Sequence, residues 1–462
     1  MRLVVIGGVA AGTKAASRAR RVNPDLDITI YQEEPETSIS ECGLPYFLSG
    51  VVERRDRLIA RTPEAFAEQG IEVRTRHRVE RIDPDAKKLT VKDLATGETF
   101  GDAYDRLIIA TGARAILPGI EGSDLEGVFA LRFLTDADAI LEHVRERSPK
   151  KAVVVGGGYI GLEVAESLTL LGMEVSLVEA ADRLAVAYGP EVAEIIEDHL
   201  REEGVDCLFT GEAVEAFLGD DEGRVRAARF GGREIEAQVV VAGIGVRPEV
   251  SLAEAAGTKI GATGAIWTNK RLETSLPDVW SAGDCAETTN LVTGEPGWFP
   301  LGDTANQMGR IAGTNAASEN GAHLEFPGVL GTGVFKVFDL GVARTGLSKQ
   351  DAEEAGFDVV TAAVEARSKA GYFPGVRPVF LKLIADGETG RLLGAETAGG
   401  SADKLVDVCA TAIWGSLTYQ DLVNLDLAYA PPFGPALSPV IQAASVLSNE
   451  FDRRKEGVRA SE

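Results

Sequence analysis

A chain of 462 residues with 45% hydrophobic content is long enough for about two to four domains with full cores. Its net charge of −24 argues against nonspecific nucleic-acid binding and leaves a soluble, self-repelling surface as the expectation. No apolar run reaches the roughly 18 residues of a membrane span, and four cysteines and four histidines without a C-x-x-C pair argue against zinc and for a reducing compartment.

The chain opens with the strand Leu3–Ile6, which runs straight into Gly7, Gly8 and Gly12. That segment is too short and wrongly flanked for a signal peptide, so the cytoplasm is the expected compartment. A helix through Arg21 and the strand Asp27–Tyr31 complete a strand–glycine turn–helix–strand unit, which places a pyrophosphate on a helix N-terminus. The motif is imperfect. Val9 stands at the middle glycine, and Gln32, followed by Glu33, stands where an acidic ribose ligand is expected. On the helix, Lys14, Arg18 and Arg21 fall at i, i+4 and i+7 and share one face.

Cys42 comes one short strand later. Gly43 and Pro45 suit a loop-to-helix transition, where unpaired N–H groups and the helix dipole favour a thiolate. Glu41 opposes this, because a neighbouring carboxylate raises a thiol pKa and repels an anion. A C-x4-C dithiol partner would stand at Phe47, so redox chemistry at Cys42 needs a second sulfur from outside.

The strand from Tyr104 ends at Thr111 and Gly112, and a second glycine unit follows. It comprises Ala152–Val155, then Gly156, Gly158 and Gly161 in full G-x-G-x-x-G spacing, a helix to Leu171 and the strand Glu174–Glu179. Glu179 lies 18 residues past Gly161. An acid there accepts from a ribose 2′-hydroxyl and repels a 2′-phosphate, which favours NADH while leaving NADPH possible. Two more buried strands end at Gly243 and Gly245 and at Gly283 and Asp284. From about Pro327 the glycine fingerprints stop. Strands near Val334, Val379 and Leu392 and a helix over Ala402–Trp414 form a separate α+β domain, and a final helix ends near Phe451 before a charged, frayed end. Cys207, Cys285 and Cys409 read as small packed residues.

Together these features resemble the pyridine nucleotide-disulfide oxidoreductases. Within that family they resemble the single-cysteine branch of coenzyme A-disulfide reductases, NADH:persulfide and polysulfide reductases and NADH oxidases. The stretches that carry the resemblance are Gly7–Gly12, Cys42–Tyr46, Pro300–Arg310, Val334–Asp339 and Ala428–Pro432, and the likeness spans nearly the whole chain. It implies an α/β fold with two Rossmann-like dinucleotide-binding domains plus a C-terminal α+β dimerisation domain. Residues 1–115 and 247–326 would bind FAD, 116–246 NAD(P)H, and 327–462 would dimerise. Around FAD and the nicotinamide nucleotide it implies Gly7, Gly8, Ala10, Ala11, Gly12, Gln32, Glu33, Val79, Ala110, Thr111, Gly112, Gly156, Gly158, Tyr159, Ile160, Gly161, Glu163, Glu179, Gly245, Gly283, Asp284 and Ala305, with Asp284 on the ribityl chain.

Cys42, Tyr429 and Tyr372 are the implied catalytic residues, with Tyr429 reaching Cys42 across a homodimer whose subunits share active sites. Lys14, Arg18, Arg21, Ser38, Glu41 and Asn306 are implied near the substrate, for which coenzyme A is one candidate, and no metal, nucleic acid or membrane is expected. Ala10 stands where peroxidase and water-forming oxidase relatives carry a histidine, and no histidine follows His323 to build a His–Glu dyad. Leu437 stands where many members of the family carry the lysine of a Lys-Asp pair, which weakens the case for coenzyme A itself. The expected function is an FAD-dependent NAD(P)H oxidoreductase reducing a small disulfide, persulfide or polysulfide through Cys42. The alternatives are an NADH oxidase reducing O2 at the flavin, or an electron-transfer flavoprotein subunit.

Overall fold

In a computed structural model of the protein, residues 1–319 and 323–461 are described, with backbone alone at 457–461. Three five-stranded sheets organise the chain. The first is parallel, in the order Val279–Ser281, Arg106–Ile109, Arg2–Ile6, Asp27–Tyr31 and Ile71–Arg74. The second is also parallel, in the order Cys207–Thr210, Glu174–Glu179, Lys151–Val155, Val239–Ala242 and Val128–Ala130. The third is antiparallel and runs Gly333–Val337, Leu340–Gly346, Leu392–Gly399, Pro378–Asp386, Val359–Arg367. The valine and isoleucine runs of the first two sheets are buried on both faces, as parallel strands covered by helices must be. Val279–Ser281 rejoins the first sheet beside Arg106–Ile109, so the second sheet is an insertion between strands of the first.

Each parallel sheet opens with the same turn. A Cβ placed on Gly12 would sit 1.9 Å from the Gly7 carbonyl oxygen, and one on Gly161 would sit 1.9 Å from that of Gly156. Gly7 and Gly156 hold φ of 103° and 102°, a region that L side chains rarely enter. The two turns therefore bring the helices Ala10–Val22 and Tyr159–Leu170 hard against their first strands, with the helix N-termini facing the carboxyl ends of the sheets.

The helix Ala10–Val22 also packs along the helix Gly302–Ala317. The contact is made by small residues: Cβ atoms on Gly309 and Gly313 would lie 2.3 and 2.2 Å from the carbonyl oxygens of Ala11 and Ala15. Ala11, Ala15, Ala16, Ala305 and Ala312 fill the core around it.

Two differences from the sequence reading have local causes. The last helix does not stop near Phe451 but runs Pro439–Ser461, with Glu462 outside the described residues. Arg453 pairs with Glu450 at 2.6 Å, and Arg454 reaches Asp358 at 2.8 Å, which ties the charged end to the third sheet. Two three-stranded antiparallel sheets (His77–Asp83, Lys88–Asp93, Thr99–Ala103; and Val214–Gly219, Val225–Phe230, Arg233–Glu236) were not anticipated. Register shifts at Val79/Arg81 and Val214/Ala216 break the alternation that would mark them. Among the described residues no helix is long and apolar enough to cross a membrane.

Gly309→Ala should force the two small-residue helices apart. Overpacking of this kind costs about 1–3 kcal/mol, and a lowered denaturation midpoint in chemical unfolding, against wild type, checks it.

Candidate functional site

Cys42 sits on a single 3-10 turn, Glu41–Gly43, which leads into the short helix Leu44–Leu48 with Pro45 in its first turn. The turn is pinned by Ser40 N–H to the Leu58 carbonyl at 2.8 Å and Gly43 N–H to the Ser40 carbonyl at 2.9 Å. Leu58 packs so closely that a Cβ on Gly43 would lie 2.4 Å from it. The Ser167 hydroxyl donates to the Pro45 carbonyl at 2.7 Å, which joins the cysteine helix to the helix Tyr159–Leu170. From the other side the N-terminus of Gly302–Ala317 approaches: a Cβ on Gly302 would lie 4.0 Å from Cys42 Sγ. The sulfur, on an exposed residue, thus stands between elements of both parallel-sheet units.

The charges around it do not match the expectation of a stabilised thiolate. Burial of the sulfur's surroundings pushes the Cys42 thiol up, the carboxylates of Glu41 and Glu163 push it further, and the Arg132 guanidinium and a backbone hydrogen bond at Cys42 oppose them. Glu41 is itself raised to about 7 by burial, and Glu163 likewise to about 7. The Tyr46 hydroxyl donates to Glu163 Oε1 at 3.1 Å. Arg132 spans the site, with Nη1 3.1 Å from Glu41 Oε2, Nη2 3.0 Å from Asp284 Oδ2 and Nε 3.0 Å from the Ala113 carbonyl oxygen. The sequence reading did not find Arg132 or Tyr46, because only tertiary contacts bring them to Glu41 and Glu163.

The remaining residues of the first unit gather at the carboxyl end of its sheet. Ala10 and Ala11 begin the helix, and Val9 before them offers no side-chain cap, so the first N–H groups have no side-chain acceptor. Gly283 faces Ala11 and Ala305, with a built Cβ 2.8 and 3.6 Å from their Cβ atoms. Thr111 Oγ1 donates to the Glu249 carbonyl at 2.6 Å, and Gly112 has φ 72°. Asp284 accepts from Arg132, and its carbonyl accepts from Trp298 Nε1 at 2.7 Å. Gln32 turns inward, its Oε1 accepting from the Gly8 N–H at 2.7 Å, while Glu33 stands between Arg114 and Arg78 at 3.1 and 3.5 Å. Glu33 is thus the outward acid at the strand end. Val79 is buried in the core, which leaves its backbone for any ligand.

In the second unit Gly158 caps the helix without a side-chain bond, and nothing would crowd a Cβ there. Tyr159 and Ile160 open the helix, with Tyr159 46% exposed. Glu179 accepts from Gly157 N–H at 2.6 Å and Ala181 N–H at 2.7 Å, which fixes its carboxylate at the strand end, and Gly245 follows with φ 109°. Uncapped helix N-termini over glycine turns in both units fit two dinucleotides, FAD and a nicotinamide nucleotide.

Residues 1–321 match the family described as pyridine nucleotide-disulphide oxidoreductase, and 333–440 match that family's dimerisation domain. The chain belongs to the pyridine nucleotide-disulphide oxidoreductase family. It is 38% identical over 448 residues to an NAD(P)H sulfur oxidoreductase (CoA-dependent) of Pyrococcus furiosus, covering 96% of this chain and 99% of that protein. An NADH oxidase of Methanocaldococcus jannaschii is 35% identical over 96% of this chain and 98% of its own. The solved NAD-dependent persulfide reductase from A. fulgidus superposes with a TM-score of 0.94 at 43% identity, over 98% of this chain and 84% of that one.

The other residues expected at the site lie on two further surfaces. Tyr372 and Tyr429 are 79% and 52% exposed, and neither hydroxyl makes a hydrogen bond among the described residues. Their segments are joined by Ala370 N–H to the Pro431 carbonyl at 3.4 Å. Lys14, Arg18 and Arg21 share the first helix, and none forms an ion pair among the described residues. Arg18 Nε donates to Thr314 Oγ1 at 3.0 Å. Arg61, another residue the sequence reading missed, reaches that helix with Nη1 3.4 Å from Ser17 Oγ. Ser38 holds φ 57° and donates its N–H to the Gly8 carbonyl at 2.7 Å, while Asn306 Nδ2 bonds the Gly302 carbonyl at 2.8 Å. Cys285 and Cys409 are buried, as expected of packed thiols, whereas Cys207 is half-buried.

Glu179→Ala removes the acid that would repel a 2′-phosphate. The ratio of kcat/KM for NADH to that for NADPH should fall about tenfold or more; an unchanged ratio removes Glu179 from cofactor choice.

Proposed function

We propose that this chain is an FAD-dependent, NADH-preferring reductase of a small disulfide, persulfide or polysulfide, acting through Cys42. The observation that carries the reading is the placement of one sulfur between the two dinucleotide units, with no second cysteine beside it among the described residues. The first sheet with its returning strand (1–115 and 247–326) holds FAD, the inserted unit (116–246) holds NADH, and 327–462 builds a homodimer.

FAD, when bound, relays an electron pair from NADH toward sulfur. The chain's own residues do the rest. The Cys42 thiolate attacks one sulfur of R–S–S–R′, forming a Cys42 mixed disulfide and releasing one half as thiolate. A two-electron reduction then breaks that S–S bond, restores the Cys42 thiolate and frees the second thiol. Asp284, oriented by Arg132, would hold the ribityl chain, and Tyr159 would shield one flavin face when no nicotinamide is bound. The partner subunit's Tyr429 and the partner subunit's Tyr372 donate to the departing thiolate, since both are exposed and neither hydroxyl makes a hydrogen bond among the described residues. Lys14, Arg18 and Arg21, with Ser38 and Asn306, receive an anionic thiol such as coenzyme A. The relative of P. furiosus, called CoA-dependent, favours that carrier, whereas the exposed Leu437 in place of a lysine weakens it.

A second reading is an NADH oxidase, since the relative of M. jannaschii bears that name. Ala10 in place of a histidine speaks against a cysteine sulfenic acid stabilised as in the water-forming branch.

Cys42→Ser should abolish anaerobic NADH consumption with coenzyme A disulfide, glutathione persulfide and polysulfide, while NADH still bleaches the flavin. Full turnover by the mutant would sink the cysteine mechanism, and oxygen consumption at the wild-type rate would favour the oxidase. Lys14→Ala with Arg18→Ala should raise KM for coenzyme A disulfide by roughly tenfold to a hundredfold, and leave polysulfide unchanged; equal effects on both would remove the basic face from substrate choice.

A further inference from the structure

We propose that His199, Glu203 and Asp339 form a binding site for a divalent transition cation, with zinc as its occupant, which ties the inserted unit to the third-sheet domain. The inference stands on these residues alone and does not depend on the role of Cys42.

His199 and Glu203 lie one turn apart at the end of the helix Pro190–Glu202, where the Glu203 N–H donates to the His199 carbonyl at 3.0 Å. That spacing sets both side chains on one helix face. Asp339 comes from another domain, on the two-residue turn between the strands Gly333–Val337 and Leu340–Gly346. One ligand atom from each of the three residues lies within 4.8 Å of the other two. Asp339 Oδ1 stands 3.2 Å from His199 Nε2, yet that buried nitrogen makes no hydrogen bond among the described residues. A ring nitrogen and a carboxylate oxygen this close but misaligned are placed as two ligands of one cation are. Zinc bonds of about 2.0–2.2 Å to nitrogen and oxygen put tetrahedral neighbours about 3.3 Å apart.

The surroundings hold these ligands in place. His199 Nδ1 faces Glu202 Oε2 at 3.9 Å, on the side from which a carboxylate orients a ligating imidazole. The Phe338 ring meets the imidazole edge-on, with centroids 6.3 Å apart. Arg377 Nη2 takes Asp339 Oδ2 at 3.1 Å and its Nη1 takes the Asp339 carbonyl at 2.9 Å, which leaves Oδ1 for the cation. Phe338 holds φ 51°, and its N–H donates to Glu166 Oε2 at 2.8 Å, so the turn is set before any ligand arrives. Glu202, Glu203 and Asp339 outnumber the one guanidinium, so the site carries net negative charge. An imidazole with two carboxylates suits zinc, whereas magnesium keeps to oxygen. Both acids are exposed, which leaves a fourth position open to water. No ligand spacing in the sequence marks the site, because the third ligand arrives from another domain.

The test is equilibrium dialysis of flavin-loaded, metal-stripped Cys42→Ser protein against buffered Zn2+, with bound metal counted by atomic absorption. The serine removes a thiol that would itself compete for zinc. One Zn2+ per chain is expected, not displaced by excess Mg2+. His199→Ala and Asp339→Asn should each weaken binding by about a hundredfold or more, since losing even a residue behind a ligand costs about 10–100-fold. No Zn2+ on the parent protein, parent-like affinity in either variant, or displacement by Mg2+ overturns the proposal. If a variant loses its flavin spectrum, Glu203→Gln on the exposed helix end decides, and unchanged Zn2+ affinity there overturns it. None of these readings involves turnover, so they are separate from the assays of the redox role.

Discussion

The contact between the helices Ala10–Val22 and Gly302–Ala317 is the constraint on which the site depends. Gly309 and Gly313 let the backbone of one helix rest on Ala11 and Ala15 of the other. No side chain keeps them apart, so two N-termini are set by backbone contact rather than by adaptable rotamers. One N-terminus opens the first glycine turn. The other arrives at Cys42, where a Cβ on Gly302 would lie 4.0 Å from the sulfur. Gly283 meets Ala11 at the same level, so strand end, turn and helix are locked together. A scaffold of this kind positions groups within tenths of an ångström, which positioning of reacting atoms requires.

Charge is distributed against the overall balance. A chain at −24 has acids in excess, yet the first helix shows Lys14, Arg18 and Arg21 without acidic partners among the described residues. Some cations elsewhere are paired with two acids each: Arg114 with Glu33 and Glu249, Arg55 with Glu36 and Asp138. Around Cys42 the proportion reverses, with several acids and one guanidinium. The basic face can attract an anionic thiol by long-range field, while the interior of the site resists a second negative charge. Attraction and discrimination thus fall to different surfaces.

What the sequence could reveal follows from how local each feature is. The glycine turns, the strand Glu174–Glu179, the helix Ala402–Trp414 and the isolated Cys42 depend on neighbours along the chain, and each stands where periodicity and spacing placed it. Gln32 was legible as the residue at the strand end but not in its direction, because its amide is claimed by the Gly8 N–H. Arg132 carries no motif of its own. Its role exists only because the inserted unit brings it to Glu41 and Asp284, which are distant in sequence. The helical charged end after Phe451 was hidden for the same reason, since Asp358 on another segment holds it. The helix-start argument for a low thiol pKa failed on magnitude. A helix of five residues and a single 3-10 turn have little dipole to set against burial and two carboxyls.

The third sheet does more than offer a dimerisation face, because it grips the inserted unit through buried charge. Lys382 is buried and pairs with Glu191 at 3.0 Å, in the first turn of the helix Pro190–Glu202. Glu396, also buried, accepts from Gly189 N–H at 2.9 Å and so caps the same helix. Lys336 pairs with Glu166, which also accepts from Phe338 N–H at 2.8 Å. Such pairs add little net stability over apolar packing, but breaking one leaves an uncompensated buried charge worth roughly 3–5 kcal/mol. Their effect is therefore on registry: sliding the inserted unit over the third sheet would expose or orphan several charges at once. Because Glu163 and Tyr159 lie on the helix that carries Glu166, the same grip that aligns the dimerisation domain also fixes the groups facing Cys42.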